Sequence, residues 1–65
     1  MNQEKRMRLY KERKKKLLSQ KEIAQELGIG RGSYIKIENG KADLQLELAK
    51  KLSDFFNLTV DELFF

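Results

Sequence analysis

The sequence lacks the residues that most metal sites and active sites need. It has no cysteine and no histidine, which excludes disulfides, thiolate zinc sites, cysteine nucleophiles and the commonest general base and metal ligand. It also has no proline, so no helix is interrupted by a missing backbone donor. No apolar run approaches the roughly 20 residues of a membrane span. These absences argue against an enzyme, a bound metal or cofactor, and a membrane protein.

The 65 residues are enough for one small domain. A chain of this size buries only about 60% of the surface that it exposes when unfolded, so its core must come from a few well-patterned elements. Its first residues are charged where a secretory signal peptide would need an apolar stretch. We therefore expect a single cytoplasmic domain over residues 1–65.

The charge is unevenly distributed along the chain. Residues 1–41 carry 12 Lys and Arg against 5 Asp and Glu, a net charge of +7, whereas residues 42–65 carry 2 against 5, a net charge of −3. A basic half in a chain with an isoelectric point near 9.5 indicates a polyanionic partner. The basic tract at 13–16 is equally consistent with a solvated helix end, where cations complement the helix dipole.

Hydrophobic periodicity and capping residues predict an all-α chain of five helices. Ser19 and Glu22 have the spacing of a capping box at the start of the second helix, and Gly28 is the expected end of that helix. Asp43 is expected to cap the fourth helix and Thr59 the fifth. The predicted helices span about 4–16, 20–27, 31–38, 44–56 and 60–64.

Only about three residues separate the second helix from the third, which predicts a steep crossing and hence a helix-turn-helix. The small side chain of Ala24 suits the point of contact. The expected inward face of the first helix carries Leu9, Arg13 and Leu17 at spacings of four. A cation on that face needs a nearby anion, because an unpaired buried charge is costly.

Three segments, in this order and at this spacing, resemble the Cro/repressor (XRE-type) family of DNA-binding domains. They are LSQKEIAQELGI at 18–29, KIENGK at 36–41 and LTVDELF at 58–64. The resemblance covers about residues 6–64. It implies a compact five-helix, lambda-repressor-like fold that binds operator DNA as a dimer.

The same resemblance, transferred position by position, implies roles for individual residues. It implies base contacts from early positions of the third helix, where Gly32 offers no side chain, and an ion pair between Arg13 and Glu38. Such a pair would supply the anion that Arg13 needs. The implied base-reading residues are Arg31, Ser33 and Lys36, and the implied phosphate contacts are Ser19, Gln20, Asn39 and Lys41.

The residues themselves leave several of these roles open. The charges of Arg31 and Lys36 are also compatible with a solvated helix face, and Ile35 fits either a thymine methyl or an exposed position. Tyr34 fits the core better than a base-stacking site. Gly30 and Gly32 weaken the first turn of the third helix by roughly 1 kcal/mol each. We therefore predict that this turn frays in the absence of DNA.

The sequence thus predicts a transcriptional regulator, most simply a repressor that binds double-stranded DNA at an inverted repeat. An apolar C-terminus is expected to form the homodimer interface. The alternative is an antitoxin or another protein-interaction module on the same fold, which holds a protein partner through this patch and also binds DNA. The candidate interface residues are Leu63, Phe64 and Phe65.

Overall fold

A computed structural model of the chain describes residues 5–64. Within this range the chain forms five α-helices and no strand, so the predicted all-α, five-helix fold is confirmed. The helices are α1 Met7–Lys15, α2 Gln20–Leu27, α3 Arg31–Glu38, α4 Leu46–Phe56 and α5 Val60–Phe64.

The bounds of α2, α3 and α5 agree with the prediction, but those of α1 and α4 do not. Glu4, where α1 was expected to begin, lies outside the described residues, and α1 begins only at Met7. It begins late because the backbone N–H of Arg6 donates to the carbonyl of Glu38 instead of lying inside a helix. This tertiary contact overrides the helix propensity of the basic segment.

The prediction that Asp43 caps a helix starting at residue 44 is wrong. Gln45 is the N-cap residue of α4, and the helix starts at Leu46. Leu44 packs against the core from the preceding loop, and it lies four positions before Leu48, which packs against the same core from α4. A loop residue can therefore continue the apolar spacing of the helix that follows it.

All five helices contribute to one core. The small side chain of Ala24 is buried on the inner face of α2, as expected for a helix that crosses its neighbour closely. Tyr34 is fully buried, which confirms its assignment to the core. The buried cluster consists of Leu9, Ile23, Ala24, Leu27, Tyr34, Ile37, Leu52, Phe56 and Leu63.

Helices α1 to α4 end in the same way, with one residue in the left-handed conformation. These residues are Leu17, Gly28, Gly40 and Asn57, with φ between 57° and 74°. In each case the next residue donates its N–H to the carbonyl five positions earlier, at 2.8–3.3 Å. This is the Schellman arrangement, which satisfies carbonyls that the helix leaves free.

Leu17 is the exception among these helix ends. It is a γ-branched residue at φ 57°, a conformation that costs an L-residue about 1–2 kcal/mol. Its side chain is 90% exposed, so the expectation that it lies on the inward face of α1 is wrong. The helix ends at Lys15, and the turn that follows directs Leu17 away from the core.

Candidate nucleic-acid interface

Helix α3 separates a buried side from an exposed side. Tyr34, Ile37 and Glu38 are buried against the rest of the domain, which fixes the orientation of the helix. On the other side, Arg31, Ser33 and Lys36 are all exposed, and Ile35 is half-buried. The three side chains expected to read bases are therefore accessible, together with the exposed backbone at Gly32.

The N-terminal end of α3 is open. Its N-cap residue, Gly30, offers no side-chain hydrogen bond, and the first turn contains no acidic residue. Apart from the adjoining residues and the backbone of the same helix, a Cβ atom added at Gly30 or Gly32 would meet no atom of the described residues within 4 Å. This end therefore has free space on its outer side, and no side-chain hydrogen bond caps it. The predicted fraying of this turn stays a prediction.

The C-terminal end of α3 is anchored by a buried ion pair. The carboxylate of Glu38 is completely buried and accepts hydrogen bonds from Arg13, with Nη2–Oε1 at 3.0 Å and Nε at 3.2 Å from both oxygens. Arg13 also donates from Nη1 to the carbonyl of Leu18 at 2.7 Å. The pair thus joins α1, the turn after it and α3, and it provides the anion that Arg13 needs.

Gln20 belongs to the same network. It is the first residue of α2, it is half-buried, and its Nε2 donates to Oε2 of Glu38 at 3.2 Å. An amide nitrogen carries two hydrogens, so one of them remains for another acceptor. No local pattern predicts this contact, because the two residues lie 18 positions apart.

The charges of the network perturb the groups around them. Burial lowers the pKa of Arg13, but the hydrogen bonds and the charge of Glu38 outweigh this effect and raise it. Burial, followed by the charge of Glu38, raises the pKa of Tyr34. The Tyr34 hydroxyl is buried without a hydrogen-bond partner among the described residues. Both side chains therefore keep their protons at physiological pH.

The other residues expected at phosphate differ in exposure and in hydrogen bonding. The Ser19 hydroxyl accepts the N–H of Glu22 at 3.0 Å, and the Glu22 carboxylate accepts the N–H of Ser19 at 2.8 Å. The capping box is thus complete, and it occupies the Ser19 hydroxyl as an acceptor. Asn39 follows α3 and is half-buried, whereas Lys41 is exposed.

Arg6 is a site residue that sequence reasoning missed. Its Nη1 donates to the carbonyl of Ile37 and, at 3.2 Å, to that of Ala42. These partners lie 31 and 36 positions away in the sequence. A cation before a helix start has no local stabilising role, because the helix dipole disfavours it there. No local pattern could therefore have identified Arg6.

The expected interface at the C-terminus requires a correction. Leu63 is only 1% exposed and belongs to the core, so it is not available to a partner. Phe64 is half-buried, and Phe65 lies outside the described residues. Another apolar side chain lies at the same groove as Phe64, that of Leu46 at the start of α4, which is 71% exposed. It lines a shallow groove together with Leu44, Ala49, Val60, Phe64, Arg6 and Asp43.

Residues 5–64 also lack two features that are typical of other protein classes. No group of three carboxylate side chains in this range could hold a metal ion. No helix in this range is long and apolar enough to cross a membrane.

Known proteins share both the sequence pattern and the fold of this chain. A family model described as helix-turn-helix matches residues 9–63. An uncharacterized HTH-type transcriptional regulator of Methanocaldococcus jannaschii is 40% identical over 47 residues, which are 72% of this chain and 71% of that protein. One of Archaeoglobus fulgidus is 34% identical over 59 residues, 91% of this chain and 84% of that protein.

Two further proteins are similar over most of this chain. The cryptic phage CTXphi transcriptional repressor RstR of Vibrio cholerae is 35% identical over 46 residues, which are 71% of this chain but 41% of the repressor. The crystal structure of the restriction-modification controller protein C.AhdI from Aeromonas hydrophila superimposes with a TM-score of 0.78 at 31% identity. That match covers 89% of this chain and 84% of the controller protein.

Proposed function

Because the chain belongs to the helix-turn-helix family of XRE-type DNA-binding transcriptional regulators, we propose that it is a repressor that binds an inverted-repeat operator as a homodimer. The observation that carries the proposal is the exposed side of α3, which offers Arg31, Ser33 and Lys36 from a helix whose other side is buried. The similarity to RstR, a transcriptional repressor, favours repression.

The mechanism begins with electrostatic capture of the duplex by the basic half of the chain, residues 1–41. Helix α3 then enters the major groove, where Arg31 and Lys36 donate to the O6 and N7 atoms of guanine. Ser33 reaches a neighbouring base edge. A bound dimer that covers a promoter excludes the polymerase, which makes binding itself the act of repression.

Phosphate contacts set the register of α3 in the groove without reading sequence. Gln20 donates its second amide hydrogen to a phosphate while the first stays on Glu38. Asn39 and Lys41 approach the backbone from the end of α3, and Ser19 flanks Gln20 at the start of α2. These contacts are the same for every sequence, so they supply affinity and leave specificity to α3.

A selection of binding sites from a random duplex library at about 100 mM salt tests the proposal. Counterion release contributes less to binding as the salt concentration rises, so non-specific affinity is lower under these conditions. We expect enrichment of an inverted repeat whose half-sites lie about 10 bp apart. Salt-sensitive binding without any enriched sequence would contradict sequence-specific repression.

Single substitutions separate the two kinds of contact. Arg31→Ala should cost about 1–3 kcal/mol at the selected site and relax the preference there, whereas Lys41→Ala should weaken all duplexes alike and lower the salt slope by about one. Lys50→Ala, an exposed cation on α4, is the control and should change neither. Equal losses for Arg31→Ala and Lys41→Ala on every sequence would contradict the assigned roles.

The homodimer interface is proposed at the groove that contains Leu46 and Phe64. An inverted repeat requires two copies related by a two-fold axis, and Leu46 is an exposed apolar side chain beside the partly exposed Phe64. Light scattering should show a dimer that Leu46→Lys converts to a monomer. Gln45→Lys adds the same charge at the neighbouring exposed position and should leave the dimer intact.

The same surface supports one alternative, an antitoxin or other protein-interaction module that also binds DNA. The exposure of Leu46 favours an occupant of either kind, and the mass of the wild-type chain separates them. A monomer at high concentration that still binds DNA would favour the alternative. A dimer that survives Leu46→Lys would place the interface elsewhere.

A further inference from the structure

Arg6 connects the start of α1 to the end of α3 through both its backbone and its side chain. Its backbone N–H donates to the carbonyl of Glu38 at 2.8 Å. Its guanidinium Nη1 donates to the carbonyl of Ile37, the residue before Glu38, and to that of Ala42 at 3.2 Å. Arg6 is half-buried in this position. One residue thus holds two successive carbonyls of α3 and a third one beyond its end.

These contacts complete the hydrogen bonding of the helix end. The last four carbonyls of a helix have no partner inside the helix. For α3, residues 39–41 supply donors to the first three of them, in the Schellman arrangement around Gly40. The fourth carbonyl, that of Glu38, accepts only from Arg6 among the described residues. A substitution of Arg6 keeps this backbone hydrogen bond and the turn around Gly40, but it removes the guanidinium contacts with Ile37 and Ala42.

The guanidinium also spans the segment that follows α3. Ile37 lies before Asn39–Lys41 and Ala42 lies after it, so Nη1 joins the two flanks of this segment. A cation near the C-terminus of a helix is favoured by the helix dipole. The planar guanidinium fixes the directions of its donors, which an ammonium group on a flexible stem does not.

We propose that Arg6 is a positioning residue for DNA binding, which holds Asn39 and Lys41 in place against the phosphates. The proposal rests on the proposed function, because those two residues are its phosphate contacts at this end of α3. Since such contacts carry no sequence information, loosening them should lower the affinity for all duplexes to a similar extent. Arg6 acts here through its carbonyl partners and makes no contact with DNA itself.

The experiment compares Arg6→Ala with Arg8→Ala on the selected duplex and on unrelated duplexes. Arg8 is an exposed arginine two residues away, paired with Glu12 at 3.0 Å, so both variants lose one positive charge. We expect Arg6→Ala to lose about tenfold or more in affinity on every duplex, as for lost hydrogen bonds from a charged donor. Arg8→Ala should lose no more than about threefold, the scale of one distant charge.

Amide hydrogen exchange in the absence of DNA provides a second readout. In Arg6→Ala the amides of Gly40 and Lys41 should exchange faster than in the wild type, whereas that of Leu58 should not change. Leu58 closes α4 in the same arrangement and so controls for global destabilisation. Arg6→Lys keeps the charge and the backbone contact but not the fixed geometry, and it should restore the affinity only in part.

The outcomes separate the two proposals. If the wild type binds no duplex, the proposed function fails, and the role of Arg6 in DNA binding fails with it. If the wild type binds and Arg6→Ala matches Arg8→Ala in affinity and in exchange, only the role of Arg6 is refuted. If Arg6→Ala unfolds, Arg6→Lys decides: faster exchange confined to Gly40 and Lys41 supports the role, and unchanged exchange contradicts it.

Discussion

The two ends of α3 are built in opposite ways. At its start, Gly30 provides no side-chain cap within the described chain, and Gly32 leaves the outer side empty. At its end, the buried carboxylate of Glu38 accepts hydrogen bonds from Arg13 and Gln20. The backbone N–H of Arg6 donates to the last carbonyl of the helix, that of Glu38. The C-terminal end of α3 is therefore anchored, whereas the N-terminal end is not. Anchoring at one end fixes its direction and leaves freedom at the start, where Arg31 and Ser33 lie.

The largest effect should come from breaking the anchored end. Glu38→Ala leaves Arg13 buried without an anion, which should lower the free energy of unfolding by about 3–5 kcal/mol. Urea denaturation followed by circular dichroism measures it. Glu26→Ala, at an exposed position of α2, should stay within about 0.5 kcal/mol of the wild type. A loss for Glu38→Ala no larger than that of the control would mean that the pair does not anchor the helix.

A better helix former in the first turn of α3 should raise the free energy of unfolding, by less than Glu38→Ala lowers it. Gly32→Ala should raise the free energy of unfolding by about 1 kcal/mol, because alanine is the better helix former. The control is Gly28→Ala, where an added Cβ also meets nothing within 4 Å but φ is +73°. That variant should destabilise, since alanine is strained there. Thermal denaturation gives the melting temperatures of the two variants. Changes of the same sign from the wild-type value would contradict this interpretation.

Gly30 is the N-cap residue and not an interior residue of α3, so it costs less than the roughly 1 kcal/mol expected from the sequence. The backbone of Gly30, at φ −73° and ψ 152°, is close to that of the capping residue Ser19, at φ −76° and ψ 163°. Gly30→Ser should therefore place a hydroxyl near the amide of Ser33, with a gain of a few tenths of a kcal/mol over glycine. Amide exchange at Ser33 and Tyr34 should be fast in the wild type and slower in the variant. Slow exchange in the wild type would show that the turn is not frayed.

The smallest effect concerns the pH dependence of the helix starts that do carry a capping box. Hydrogen bonds from the backbone and then the side chain of Ser19 lower the pKa of Glu22, and Thr59 acts in the same way on Glu62. The ordinary value of 4.5 applies to the unfolded chain. This stabilisation is therefore complete above pH 4.5 and is lost as the pH falls through the lower folded value.

Stability measured from pH 7 down to pH 3 tests this linkage. Glu22→Gln should flatten the decline of stability below pH 4.5, and the double variant with Glu62→Gln should flatten it further. Helix α3 has no acidic residue in its first turn and so contributes no such effect. An unchanged slope in the double variant would contradict the linkage.

The predictable part of the fold is the part whose signals are local. The bounds of α2 follow from Ser19, Glu22 and Gly28, which lie within or next to the helix and act through hydrogen bonds only a few residues long. The predicted starts of α1 and α4 were wrong. Arg6, before α1, bonds to Glu38, and Leu44, before α4, packs against the core from a loop. Leu17 was misplaced for a local reason: it follows the end of α1 in the left-handed conformation, where the helical spacing of four no longer applies.

The site follows the same division. The exposed side of α3 could be expected from the spacing of its residues, and the pairing of Arg13 with Glu38 came from the family resemblance. The contacts of Gln20 with Glu38 and of Arg6 with Ile37 could not be expected. Each joins residues that are 18 or more positions apart and that leave no mark on the sequence around them.

The repeated ending of α1 to α4 has a consequence for the rate of folding. The hydrogen bond that ends each of these helices joins residues only five positions apart. It can therefore form before distant segments of the chain come together. Chains dominated by such short-range contacts cross the folding barrier within microseconds to milliseconds. A few contacts then join segments that are distant in the sequence, among them the contact between Arg6 and the end of α3. Contacts that form after the barrier govern how fast the domain opens and leave the rate at which it folds almost unchanged.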